Sequence, residues 1–269
     1  MSEFHAFELT GWSDVATVAA YDGGFGSVTV QATTALLEAV ALRPGMRLLD
    51  VACGLGYLTG VATDRGALAM GIDFSPAMIA SARVRRFDAP YQEGDAQALE
   101  FPDASFEAVV CAFGMLHFAD PERAIREAFR VLTPGGRYAF AVWAQPDADN
   151  GAGILNAALE EHGTLASPAP AGPSQFRFSD PEECRRGLEA AGFTGIETRR
   201  LEFVWRAPSA TALLDALEAS SVRLKTLLQA QTPEASHGVR DAFVRETARF
   251  EVEGGIALPM PALLASGVK

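Results

Sequence analysis

The sequence predicts an α/β fold with a doubly wound, mostly parallel sheet, and three observations predict it. Residues 48–59, LLDVACGLGYLT, read as a buried strand, a tight glycine turn and the opening of a helix. Strand-like apolar runs and helix-like stretches then alternate five times by residue 143, which implies parallel strands joined by right-handed crossovers. Finally, the polar residues with the least structural explanation fall at the C-terminal ends of those strands, the rim where such sheets bind ligands.

The chain of 269 residues is 49% hydrophobic, enough for a sizeable core. Its net charge is −12, from 22 basic and 34 acidic residues, and no Lys/Arg cluster stands out, so nucleic acid is not an expected partner. The N-terminus lacks a charged-then-apolar leader and no apolar run reaches about 18 residues, so no membrane association is expected and the location is read as cytoplasmic. Cys53, Cys111 and Cys184 are few, odd in number and far apart, which argues against disulfides or a zinc site and for core packing.

At the glycine turn, Gly54 and Gly56 let the backbone bend sharply and let a ligand approach without a Cβ in the way. The helix opening at Tyr57 aims free N–H groups at negative charge. A dinucleotide fingerprint needs a third glycine where Thr59 stands. Asp50, inside the strand, repels a pyrophosphate but attracts an ammonium group. S-adenosylmethionine, which carries both an α-amino and an α-carboxylate group, uses both features.

Taken in order, Trp12, Val15, Ala19 and Asp22 suggest a helix from about 12 to 21. The glycines at 23, 24 and 26 follow as a joint, so residues 1–29 read either as an aromatic lid or as an anchored N-terminus. Val30 to Leu42 is helical, with Ala32, Leu36, Ala39 and Val40 on one side, until Arg43-Pro44-Gly45. Ala67 to Asp73 is the second strand, and Ser75-Pro76 starts a helix to about Arg86 as cap and first helical residue. Asp73, at a strand's C-terminal end, suits both hydroxyls of a ribose, or else caps the next helix. The third strand runs near Ala89 to Glu93. After it, Asp95 and the Ala96 N–H suit an adenine edge, unless Asp95 is a solvated turn residue. Phe106 to Phe113 is the fourth strand. The loop from Gly114 to Phe118, the helix opened by Asp120-Pro121 and the strand from Arg137 to Trp143 complete the alternation. Pro146 to Arg177 is an insertion with a helix over Ile154 to His162. A helix from Asp180 to Ala191 and a long sixth strand, Thr194 to Trp205, follow. Residues 209–250 read as helices, and Ile256 to Val268 as the last strand.

The segments LLDVACGLG (48–56), GIDFSPAMI (71–79), EGDAQALEFPDASFEAVVCAFGMLHF (93–118) and RVLTPGGR (130–137) resemble the class I S-adenosylmethionine-dependent methyltransferases. The likeness is to the branch with the ubiquinone/menaquinone-type and small-molecule enzymes. It implies a seven-stranded, mostly parallel, Rossmann-like sheet whose last strand is antiparallel and inserted between the fifth and sixth. A helical cap then lies between the last two strands. The expected units are a lid segment (1–29), a cofactor-binding core (30–206), a helical cap (207–253) and a final core strand (254–269). By the same resemblance Asp50, Ala52, Gly54 and Gly56 frame the methionine end of S-adenosylmethionine, and Asp73 holds the ribose. Phe74 and Met78 sit beside the adenine, and Asp95 and Ala96 meet its edge. Phe113 and Leu116 line the far wall, and Tyr21 closes over the cofactor. Ala52 stands where many members have glycine, a change expected to cost little.

Methyl transfer needs the nucleophile aligned with the methyl and water excluded. It needs a general base only when the acceptor carries a proton to lose. His117 is the candidate base, or else a structural histidine. No metal-ligand cluster is read on the rim. The expected activity is methylation of a small hydrophobic or aromatic acceptor. The alternatives are a nicotinamide-dependent oxidoreductase, disfavoured by Thr59 and Asp50, and a non-catalytic S-adenosylmethionine-binding sensor or assembly protein.

Overall fold

A computed structural model describes residues 2–86 and 88–269. The N-terminus forms two helices where one was expected: α1 (Glu3–Trp12) and α2 (Val15–Gly23). Two caps cause the break. The Ser2 hydroxyl accepts the His5 N–H, and Asp14 accepts the N–H groups of Ala16 and Thr17, so each side chain starts its own helix. Trp12 therefore ends α1 rather than starting α2. A short helix α3 (Gly26–Thr29), a 3₁₀ turn (Val30–Ala32) and α4 (Thr33–Ala39) follow, burying Val28, Ala32, Leu36, Leu37 and Val40.

The core then alternates as β1 (Arg47–Val51), α5 (Tyr57–Asp64), β2 (Leu68–Asp73), α6 (Pro76–Arg85), β3 (Tyr91–Glu93), β4 (Phe106–Ala112), α7 (Pro121–Val131) and β5 (Leu132–Trp143). After it come α8 (Gly151–His162), α9 (Pro181–Ala191), β6 (Thr194–Leu201) and β7 (Val204–Ala207). Three helices, α10 (Ala210–Ser220), α11 (Val222–Gln229) and α12 (Pro233–Thr247), precede β8 (Glu251–Val252), β9 (Gly255–Pro259) and β10 (Ala262–Val268). The main sheet has seven strands in the order β3-β2-β1-β4-β5-β10-β6. β10 runs antiparallel to both neighbours, with Leu264 opposite Ala141 on one side and Arg199 on the other. In the parallel part Asp50 pairs with Gly71 of β2 and Val110 of β4, so the strands end together on one rim.

Two strands differ from the sequence reading. The long sixth strand divides, and β7 leaves the main sheet to join a small sheet of order β7-β9-β8. The tail divides too, so only Ala262 to Val268 enters the main sheet. Pro259 and Pro261 have no amide hydrogen, and the ladder cannot continue through them. Met260, between them, donates its N–H to Phe203 O instead, at 2.8 Å.

Helices cover both faces of the sheet. Ile125, Ala128 and Val131 of α7 and Cys184 and Leu188 of α9 pack on one side. On the other, Leu36 and Leu37 of α4 join Leu155 and Leu159 of α8 and Leu213, Leu214 and Leu217 of α10. The leucine stripe of α10 thus fastens the cap to the core, each side chain contributing about 1.5–3 kcal/mol by burial. The contacts of α10 with α2, and of α11 with α1, place cap and N-terminal helices side by side.

Candidate cofactor and acceptor site

The turn after β1 is held in left-handed backbone, with φ of +55° at Ala52, +52° at Gly54 and +74° at Gly56. A Cβ on Gly56 would lie 2.5 Å from the Tyr91 hydroxyl, so its glycine is required by packing. A Cβ on Gly54 would meet nothing nearer than the Met78 sulfur at 3.9 Å, and Gly54 lines a cavity. Ala52 departs from the expectation of little cost. A residue with a Cβ in this region is strained by roughly 1–2 kcal/mol.

Of the four residues expected to frame a cofactor here, Ala52 and Gly54 line that cavity, and Asp50 and Gly56 lie outside its lining. Asp50 is 1% exposed, and its Oδ2 accepts the Thr59 N–H at 3.0 Å and the Thr59 hydroxyl at 2.6 Å. It braces the first turn of α5 from beneath. Among the described residues its Oδ1 has no hydrogen-bond partner, and burial pushes its carboxyl up to about 7.

Asp73, at the end of β2, lines the cavity. Its Oδ2 accepts the Gly54 N–H and its Oδ1 the Ser75 N–H, both at 2.9 Å, so it clamps the glycine turn to the start of α6. Burial pushes its carboxyl above the ordinary range, against the pull of these two N–H groups and of His117. Ser75 caps α6 through the Met78 N–H and donates its own hydroxyl to Trp12 O at 2.6 Å, tying α1 to the rim.

The cavity measures about 600 Å³. Ala52, Gly54, Asp73, Phe74, Met78 and Tyr21 form one end, and Phe113, Leu116 and His117 its middle. Tyr21 turns its hydroxyl to Thr29 Oγ1 at 2.7 Å and lies edge-on to the Trp12 ring. The far end is aromatic and apolar. Phe113, itself at φ +58°, stacks on Trp143 with centroids 4.1 Å apart, and Phe25 packs against Trp143 at 5.0 Å. Leu155 of α8 and Leu224 and Leu227 of α11 close it, with Gln175 and Asn156 as amide groups. Among the described residues, Asp73 and Arg223 are the formally charged ones lining it.

Asp95 and Ala96 fall elsewhere. With Gly94, Gln97 and His5 they line an adjoining cavity of about 20 Å³, which shares Ala52, Phe74, His117 and Phe118 with the large one. Asp95 accepts both the backbone and the side-chain N–H of Gln97, and His5 of α1 lies edge-on to Phe74 at 5.8 Å.

His117 closes the 3₁₀ turn after β4, and its side chain is 22% exposed. Its Nδ1 is 2.8 Å from Glu8 Oε2. Glu8, Arg223 and the loop over residues 165–176 are site components that the sequence reading missed. The signal for Glu8 was an acidic residue one turn from Phe4 and Trp12 on the buried face of α1. Arg223 and the loop meet the site only through the tertiary packing of the cap.

Comparison with known proteins bears on the family and the fold. Residues 49–140 match a family model described as methyltransferase domain. The demethylmenaquinone methyltransferase of Thermus thermophilus is 47% identical over 34% of this chain, and the chain spans only 44% of that relative's length. The demethylmenaquinone methyltransferase of Deinococcus radiodurans is 36% identical over 59% of this chain and 72% of its own length. Among solved structures, Haemonchus contortus phosphoethanolamine N-methyltransferase 2 in complex with S-adenosyl-L-methionine superposes with a TM-score of 0.61. That comparison covers 100% of this chain and 60% of that one at 19% identity, so it speaks for the fold alone. Sheet order, glycine turn and sequence relatives together place the chain in the class I S-adenosylmethionine-dependent methyltransferases, in the quinone-type branch.

Proposed function

We propose that the protein transfers a methyl group from S-adenosylmethionine to a small hydrophobic or aromatic acceptor by direct in-line displacement. One observation carries this reading: a single cavity runs from Gly54 and Asp73, past His117, to the Phe113–Trp143 wall. The residues present suit the cofactor. A carboxylate offers about four acceptor positions. Asp73 uses two of them on the turn and keeps two for the hydroxyls of a ribose. Gly54 presents open space where a Cβ would narrow the cavity, and Asp50 Oδ1 is an unsatisfied acceptor beneath the same turn.

In this reading Ala52 and Gly54 frame the methionine end, with Asp50 and Gly56 supporting them from behind. Phe74 and Met78 flank the adenine, Asp95 and Ala96 meet its edge, and Tyr21 covers the cofactor. The cofactor supplies a methyl group on a sulfur already activated by positive charge. The protein's work is alignment and exclusion of water. Phe113, Leu116 and Trp143 present the acceptor's flat apolar face, and His117 takes its proton where it has one. The relatives named demethylmenaquinone methyltransferase fit a hydrophobic ring acceptor.

A labelled-methyl assay over hydroquinones, phenols, peptides and nucleic acids tests this proposal. Turnover on the hydrophobic ring compounds is expected. Turnover only on peptide or nucleic acid would overturn it. The His117→Ala variant should lose turnover while binding cofactor normally.

A further inference from the structure

Glu8 and Arg223 are charged residues at the site that cofactor binding leaves without a role. Glu8 is 0% exposed, yet it lies on the N-terminal helix α1. Its Oε1 accepts the Arg223 Nε–H of α11 at 2.9 Å. Its Oε2 accepts the Trp12 indole N–H at 3.2 Å and lies 2.8 Å from His117 Nδ1. An ionised carboxylate sealed from water is stable only with such compensation, and it can only accept hydrogen bonds. The proton in the contact with His117 therefore sits on Nδ1. The Trp12 indole N–H is placed to reach both Glu8 Oε2, at 3.2 Å, and His117 Nδ1, at 3.3 Å, and it serves the carboxylate whenever Nδ1 carries its own proton. Nε2 takes no hydrogen bond among the described residues, His117 lines the cavity, and with Nδ1 protonated the ring's lone pair is on Nε2. Asp73 is within electrostatic reach of the ring, and Arg223 reaches it through Glu8.

We propose that Glu8 is the positioning residue for His117, and that the pair serves an acceptor with a phenolic or enolic hydroxyl. This rests on the methyltransferase reading above. The carboxylate fixes the Nδ1–H tautomer, so Nε2 takes the acceptor's hydroxyl proton as the methyl is transferred. The bond that forms joins the acceptor oxygen to the methyl carbon. The bond that breaks is carbon to sulfonium sulfur, and its electron pair stays on sulfur. The proton leaves on His117, whose imidazolium keeps its Nδ1–H on Glu8 until Nε2 releases the proton to water. Because Glu8 also holds Arg223, the base is correctly oriented only when α1 and the cap are both seated.

Nitrogen-15 NMR of the histidine rings tests this in the protein without cofactor or acceptor, with His117 assigned by its loss in His117→Ala. The wild type should show the Nδ1–H tautomer. In Glu8→Ala the Trp12 N–H falls to Nδ1, and the ring proton should move to Nε2. Glu8→Gln keeps an acceptor oxygen and should largely restore the wild-type tautomer. On a catechol or hydroquinone probe Glu8→Ala should lower kcat about 10²-fold or more, with S-adenosylmethionine affinity unchanged. An Nε2–H tautomer in the wild type overturns the proposal, even if Glu8→Ala does not fold. So does an Nδ1–H tautomer that persists in Glu8→Ala. If S-adenosylmethionine fails to bind wild type, it is the methyltransferase reading that falls, whatever the tautomer.

Discussion

Asp73 Oδ2 accepts the backbone N–H of Gly54 at 2.9 Å, so the carboxylate at the end of β2 sets the shape of the turn at the end of β1. The residue proposed to hold the ribose thus also shapes the turn proposed for the methionine end. Asp73→Ala should lower S-adenosylmethionine affinity by about 10- to 100-fold, the value of one or two hydrogen bonds to a charged group. Isothermal titration reads the effect. Unchanged affinity would remove Asp73 from the site.

Gly54 separates binding from folding. Gly54 lines the cavity, and an added Cβ would meet only the Met78 sulfur, at 3.9 Å, but at φ +52°. Gly54→Val should cost about 1–3 kcal/mol of stability in strain, leave the fold intact by circular dichroism, and abolish cofactor binding. Retained affinity in a folded Gly54→Val protein would contradict the assignment.

Asp50 predicts a pH dependence of stability. Burial raises its folded carboxyl from an ordinary 3.8 to about 7, so the folded state holds a proton that the unfolded chain has lost. Its contribution is fully present below about pH 4 and is lost as pH rises toward 7, by at most about 1.4 kcal/mol per pH unit. Asp73 is shifted the same way and adds to the trend. Asp50→Asn, which keeps the shape and removes the titration, should gain stability relative to wild type as pH rises through this window. Chemical denaturation at pH 5 and pH 8 checks it. An equal difference at both pH values would contradict the buried, raised carboxyl.

Ala52 is a test of strain. Its φ of +55° suits glycine, and Ala52→Gly removes roughly 1–2 kcal/mol of strain against about 0.5–1 kcal/mol of added chain entropy. The melting temperature should stay level or rise by a few degrees. A clear fall would mean that the Ala52 methyl contributes more through packing than its backbone costs.

Most of the core was legible in the sequence because local rules act alone there. Ser75-Pro76 and Asp120-Pro121 open helices as caps with a first-turn proline, and LLDVACGLG announces the first strand and its turn. The sites of failure have nonlocal or competing causes. Asp14 was read inside a helix, but its side chain caps α2 and ends α1. The last strand was drawn too long because Pro259 and Pro261 divide it between two sheets. For Asp50, acidic type and strand position are visible in sequence. Its seal by Thr59 is a matter of depth. Glu8 and Arg223 stand 215 positions apart and meet only because α1 and α11 pack together.

The central claim is that the cavity beside Gly54 and Asp73 binds S-adenosylmethionine and not a dinucleotide. Parallel calorimetric titrations of the purified protein with S-adenosylmethionine, S-adenosylhomocysteine and NAD test it most directly. The account predicts micromolar binding of the first two and none of NAD. Binding of NAD alone would contradict it, together with each residue role built on the glycine turn.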